Sequence, residues 1–182
     1  MEPVTLLPFR PDGWTIDDLD DLPEDELRYE LVDGSLHVSP PPPNPHNVAA
    51  NRLAYLLRPV LDGSWEIIAP GAVRFDDRNY RSPDLLVVKR DGATTAYARP
   101  QDVLLVVEVM SPGSLSTDRL TKPAQYACAG IPYFWRLERD EEPVLITHRL
   151  AGEVYRDTGS FTGEVVIHDP VELRFALADL LV

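Results

Sequence analysis

Two rhythms of hydrophobic and polar positions run along the chain. In Leu27-Arg-Tyr-Glu-Leu-Val and Ser35-Leu-His-Val the period is two, and Asp33-Gly34 separates the segments. Asp-Gly between alternating segments predicts a two-residue hairpin, whose register sets Glu30 opposite His37. The period then lengthens. Ala49, Leu53, Leu56, Leu57 and Val60 form a stripe at helical spacing, with Asn44 as cap, Pro45 in the first turn and Asp62-Gly63 at the end. A shorter helix capped by Thr15 is expected upstream, carrying Ile16, Leu19 and Leu22 on one side.

Short strands are predicted at 65–69 and 72–75, meeting at Pro70-Gly71. Two apolar runs without alternation, Leu85 to Val88 and Val103 to Met110, read as central strands covered on both faces. A helix is expected between about Thr117 and Ala129, closed by Gly130, with Leu120, Ala124, Ala127 and Cys128 as its core stripe. Further strands are predicted at 131–137, 144–150, 153–156 and 165–167, and a closing helix within 173–181. No repeat is visible, and Pro40–Pro43 is the one low-complexity tract. The pattern describes one α/β domain over residues 1–182 with a mixed sheet.

Composition narrows the function. The net charge is −13, and seven of the acids crowd into residues 17–26, read as a solvated face. Such a chain does not coat nucleic acid non-specifically, because that requires a cationic surface. A phosphate substrate then needs a metal ion to supply positive charge. The single cysteine, Cys128, excludes a disulfide framework and a multi-cysteine zinc site and suits a cytoplasmic setting; it reads as a small buried residue. No apolar run approaches the roughly 20 residues that span a bilayer, so no membrane partner is expected. Met1 to Pro8 lacks the charged and apolar regions of a secretion signal.

The chemistry lies where the apolar runs are interrupted. Asp84 opens one strand after Pro83, and Glu108 breaks the other, sharing a face with Leu104, Val106 and Met110 by the period of two. An ionised carboxylate there is costly unless it is paired, hydrogen-bonded or metal-bound. Two carboxylates on adjacent strands can share a hard divalent cation that also binds substrate phosphate. Such a site polarises a phosphoryl oxygen and activates water. The competing reading makes Asp84 a strand-edge aspartate and pairs Glu108 with Arg81 or Arg119. Lys122 is the candidate cation beside them. Lys122 and Tyr126 lie four apart on a face away from the core stripe, with Gln125 beside them, and that face meets either solvent or the carboxylates. Glu30 is either a further acid of the site or the cross-strand partner of His37. His46, in the first turn of the long helix, is either a packed imidazole or a proton shuttle.

These residues occur in an ordered set of motifs: Tyr29-Glu30-Leu31-Val32-Asp33-Gly34, Ser82-Pro83-Asp84-Leu85, Val107-Glu108-Val109-Met110-Ser111-Pro112, Asp118 through Lys122, and Tyr126-Ala127 with Gly130-Ile131-Pro132-Tyr133-Phe134-Trp135. Across roughly residues 15–170 the chain resembles the bacterial putative restriction endonuclease family of the PD-(D/E)XK nuclease superfamily. The resemblance implies a restriction-endonuclease-like core, a central mixed β-sheet flanked by helices, that cleaves phosphodiesters with Mg²⁺ or Mn²⁺. It implies Asp84 and Glu108 as metal ligands and Glu30 as a further acid near the metal. The superfamily motif has lysine two residues beyond the second acid. This chain has Met110 there, and the resemblance implies that Lys122 substitutes. His46, Gln125 and Tyr126 are accessory candidates.

Other chemistries find no support. The four histidines show no metal-ligand spacing with Cys128, and no nucleophile elbow, P-loop or dinucleotide fingerprint is present. Trp65, Trp135, Tyr133 and Phe134 read as core. The expectation is a metal-dependent endonuclease acting on nucleic acid, with DNA the expected substrate, guided locally by Arg74, Arg78, Arg81, Lys89 and Arg90, and a homodimer suited to cutting two strands. The alternative is a non-catalytic interaction module that retains the fold, favoured by Met110 and the acidity.

Overall fold

The computed structural model describes residues 9–110 and 116–182. The leader reading of Met1–Pro8, the Ser111-Pro112 part of the family motif, and the side chains of Asp118 and Arg119 lie outside the described residues. In chain order the first strands are β1 (Arg28–Val32), β2 (Ser35–Ser39), β3 (Trp65–Ile68), β4 (Val73–Arg74), β5 (Tyr80–Arg81) and β6 (Leu85–Lys89). They are followed by β7 (Val103–Met110), β8 (Tyr133–Glu138), β9 (Val144–Ala151), β10 (Val154–Phe161), β11 (Glu164–Ile167) and β12 (Leu173–Ala176). The helices are α1 (Asn44–Leu57) and α2 (Ser116–Cys128).

The central sheet runs β10-β9-β8-β7-β6-β3. Its β7–β8 pair is parallel and is joined through α2, while the other pairs are antiparallel, so the sheet is mixed. One face packs Leu85, Val87, Leu105, Val107 and Val109 against Ala49, Ala50, Leu53 and Leu57 of α1. The other packs Leu86, Val88, Val106 and Phe134 against Tyr126 of α2. This is the flanked mixed sheet that the family resemblance implied. Trp135 and Phe134 are core residues, as expected.

A bulge adjusts the central strand. Val87 pairs with Leu105 but Val88 pairs with Val103, so Leu104 is an extra residue. Val103 consequently packs in the α2 layer with Val106, and Leu104 packs in the α1 layer, which corrects the strict period-two assignment of Leu104 to the face of Glu108.

A second sheet, β2-β1-β5-β4, sits beside the first. The β1–β2 hairpin turns at Asp33 (φ 49°) and Gly34 (φ 77°), the pair of left-handed residues that its tight turn requires, and Glu30 stands opposite His37 as predicted. Leu31 is buried with Trp14 and Ile16, so Arg28 and Glu30 share the opposite face of β1. The two-residue β5 was not predicted; it sets Tyr80 against Leu31 and brings Arg81 alongside. Gly71 lies on Leu86 so closely that a Cβ there would meet its side chain at 2.4 Å, and its N–H donates to the Pro83 carbonyl at 2.8 Å. That contact fixes the segment leading into Asp84.

Three expectations need correction. The segment expected to hold a closing helix is β12 followed by a 3-10 turn, Leu177–Leu180, because Leu173, Phe175 and Leu177 are buried on alternate positions against β11. Thr15 caps no α-helix; its hydroxyl donates to Asp18 at 2.8 Å beside a 3-10 turn, Asp17–Asp21. On α2 the expected core stripe holds at Ala127 alone. Leu120 is 75% exposed, and Ala124 and Cys128 are exposed, whereas Tyr126 and Ala127 are buried. The aromatic ring carries more area to hide than Leu120 and packs between Phe75 and Phe134.

Candidate active site

Antiparallel pairing of Leu85 with Val107 brings Asp84 and Glu108 to neighbouring positions on β6 and β7, both 5% exposed. Around them the described elements converge. From β1, Arg28 donates to Asp84 Oδ1 at 3.0 Å, and its other nitrogen donates to the Ser82 carbonyl. From α1, His46 Nε2 lies 3.1 Å from Asp84 Oδ2, which also accepts the Val109 N–H at 2.7 Å. From α2, Lys122 Nζ sits 3.3 Å from Glu108 Oε2 and 3.3 Å from Glu30 Oε1, and the Tyr126 hydroxyl donates to Glu108 Oε1 at 2.7 Å.

A second tier holds Glu30 in place. Its Oε1 accepts the Ser82 N–H at 3.0 Å, and its Oε2 accepts from Arg81 at 3.1 Å. Arg81 also donates through Nε to Gln125 Oε1 at 2.7 Å, and Gln125 donates to Asn79 at 3.2 Å.

All seven predicted site residues therefore belong to one hydrogen-bonded network. Lys122 faces the carboxylates rather than solvent, and Glu30 turns to Lys122 and Arg81 rather than to His37. Glu108 pairs with Lys122 rather than with Arg81. His46 makes its contact through Asp84, while its Nδ1 is buried without a partner among the described residues. Arg28 was missed, because an arginine in an alternating strand reads as solvent-facing; its place two residues before Glu30 was the available signal. The expected basic guide does not assemble. Arg81 is buried on Glu30, Arg74 is paired with Asp77, and Lys89 and Arg90 lie at the far end of β6 near Asp102 and Glu66.

The two central acids differ in electrostatics. Burial pushes the Glu108 carboxyl up to about 7, with Asp84 and Glu30 adding to the rise, against Lys122 and the Tyr126 hydroxyl. Burial works the same way on Asp84, but His46, Arg28 and the Val109 N–H hold that carboxyl below its ordinary value. Lys122 resists the loss of its proton because Glu108, Glu30 and Asp84 outweigh its own desolvation.

Hard oxygen donors on adjacent strand positions fit what Mg²⁺ or Mn²⁺ asks of a protein, one or two carboxylates with the remaining positions left to water and substrate. The fit has a condition. Each of these oxygens already accepts a hydrogen bond, and no ready-made group of three or more ligands exists among the described residues. A cation would share Asp84 with Arg28 and Glu108 with Lys122. A cleft of about 420 Å³ opens beside Asp84, so that acid is reachable from outside.

The mixed sheet with its buried acid pair defines a nuclease-like fold. A crystal structure of a putative nuclease of the DUF820 group from Anabaena variabilis ATCC 29413 superposes with a TM-score of 0.69 at 18% identity, covering 91% of this chain and 96% of the other. The model of the Uma2 family, described as putative restriction endonucleases, matches residues 16–178, and the chain belongs to that family. None of the curated proteins matches it. Among the described residues no helix is long and apolar enough to cross a membrane.

Proposed function

We propose that the chain is a Mg²⁺- or Mn²⁺-dependent endonuclease that hydrolyses phosphodiester bonds, with DNA as its substrate. The observation that carries this reading is the position of Lys122. Strand position 110 holds methionine, yet α2 delivers an ammonium 3.3 Å from Glu108, where the superfamily pattern expects a lysine. Asp84 and Glu108 would hold the ion, with Glu30 as the further acid. When bound, the ion supplies Lewis-acid charge at a phosphoryl oxygen. Lys122 offers N–H donors to the attacking water or to the developing phosphoryl charge. Tyr126 fixes the orientation of Glu108, while Arg28 and His46 hold Asp84. Gln125 acts through Arg81, which steadies Glu30. The chain would work as one domain, as a cytoplasmic homodimer with one site per strand.

One observation favours a non-catalytic binding module instead. Glu30, Asp84 and Glu108 are balanced by Arg28, Arg81 and Lys122, so the cluster is neutral without a metal. A plasmid-nicking assay with Mg²⁺ and Mn²⁺ decides between them. The wild type should nick, Asp84→Ala should not, and Lys122→Ala should cut about 10²–10³-fold more slowly, as when one transition-state donor is lost, while metal affinity by calorimetry is retained. If the wild type cleaves neither DNA nor RNA with any divalent ion, the endonuclease reading fails.

A further inference from the structure

We infer that the cleft beside Asp84 is a subsite for one unpaired nucleobase of the strand being cut. The inference rests on the nuclease reading for its class of ligand. It deepens that reading by assigning a face of α1 that the catalytic cluster does not use.

The cleft walls are built for a flat, uncharged group. Pro41, Pro42 and Pro70 line the cleft, and their pyrrolidine rings, which carry no N–H, contribute apolar surface. Its volume of about 420 Å³ falls within the range of small-molecule sites. Asn47 and Asn51 reach it from α1, four residues apart and therefore on one face of the helix. Among the described residues Asn51 makes no side-chain hydrogen bond, and Asn47 makes one long contact of 3.4 Å to the Pro42 carbonyl. Two exposed carboxamides thus offer donors and acceptors with little to occupy them.

Charge excludes the obvious competitor. Glu26 lines the cleft, and Asp84 closes it toward the catalytic pair. Arg28, the cation in this lining, is committed to Asp84 and the Ser82 carbonyl. A phosphate would meet two carboxylates and no free cation. A neutral base meets no such repulsion, and a carboxamide is the side chain that pairs with a base edge, asparagine with the N6 and N7 of adenine being the standard geometry. A base can enter such a pocket only from a single strand or after leaving its stack. Seated there, it lies against Asp84, with its own backbone beside the acid pair.

The test uses a probe without phosphate, so it depends on neither metal nor cleavage. In a ¹H–¹⁵N NMR titration of the metal-free protein, adenosine should cause saturable shifts of the Asn47 and Asn51 side-chain amides, and ribose should not. Asn51→Leu, which keeps the shape and removes the donor and acceptor, should weaken adenosine binding about tenfold, the loss expected of one bidentate pair. Asn47→Ala/Asn51→Leu should abolish it. Both residues are solvent-exposed, so the fold is not at stake. No saturable shift, an equal response to ribose, or unchanged binding by the double variant would overturn the subsite. A subsite that binds adenosine in a protein that cuts nothing would leave this inference standing and sink the endonuclease reading. Cleavage by a protein that shows no saturable response to adenosine would do the reverse.

Discussion

The acid cluster has two equally buried halves, and they treat the same functional group in opposite ways. Asp84 lies where the cleft meets the sheet, ringed by Arg28, His46 and a backbone N–H that all favour its charge. Glu108, next to it, lies under α2 with one ammonium and one phenol, and burial dominates. The difference teaches that adjacency in a sheet does not equalise two acids. Hydrogen-bond supply decides which is held below its ordinary value and which is raised toward 7. The difference also locates where the fold is vulnerable.

The comparison can be broken hardest through Lys122. Lys122→Met removes the one ammonium shared by Glu108 and Glu30 and leaves buried charge behind. The expected loss is about 3–5 kcal/mol of unfolding free energy in urea, as for other broken buried pairs. A loss under about 1 kcal/mol would show that the surroundings of Glu108 are hydrated.

A pH series sharpens it further. Glu108 titrates near 7 when folded and near its ordinary carboxylate value when unfolded, so the folded state holds the proton more tightly. Its contribution to stability is therefore fully present below about pH 4 and is lost as pH rises toward 7, by roughly 3 kcal/mol. Asp84 has the opposite sign: its stabilisation is present above its unfolded value and disappears on acidification. Glu108→Gln should flatten the fall toward neutrality while leaving the acid limb, and Asp84→Asn should remove part of the acid limb. If Glu108→Gln leaves the slope between pH 4 and 7 unchanged, another group carries it.

The smallest effect tests which face of α2 is inside. Leu120→Ser should change stability by no more than about 0.5 kcal/mol, as expected for an exposed position. A cost above about 2 kcal/mol would restore Leu120 to a core.

Much of the acid pair was legible from the chain alone, because an acid in an apolar strand stands out against its neighbours. Glu108 was visible for that reason, and the Asp-Gly hairpin fixed the place of Glu30. The helix face carrying Lys122 was not. Stripe-counting ranked Leu120, Ala124 and Cys128 by hydropathy, whereas the fold turned the helix by the area of Tyr126 and the pull of two carboxylates on an ammonium. Two-residue β5 carries too little pattern to be seen, and its absence hid how Arg81 comes to hold Glu30. Arg28 was hidden for a related reason: alternation shows which residues share a face, but not that a polar face is turned toward Asp84 of the central sheet.

The extra residue at Leu104 has an implication for evolution. It is a half-step that reverses the parity of β7, allowing Val103 and Glu108, an odd number of positions apart, to face the same layer. Deleting position 104 would leave Val103 and Glu108 four apart and in phase within a regular strand, whereas deleting a residue between Leu105 and Val107 would invert either the start of the strand or the acid. Inverting the start only exchanges one aliphatic for another at the rim, whereas inverting Glu108 would drive a carboxyl into the hydrocarbon beneath α1. Length variation in this strand should therefore be absorbed upstream, leaving the chemistry in phase.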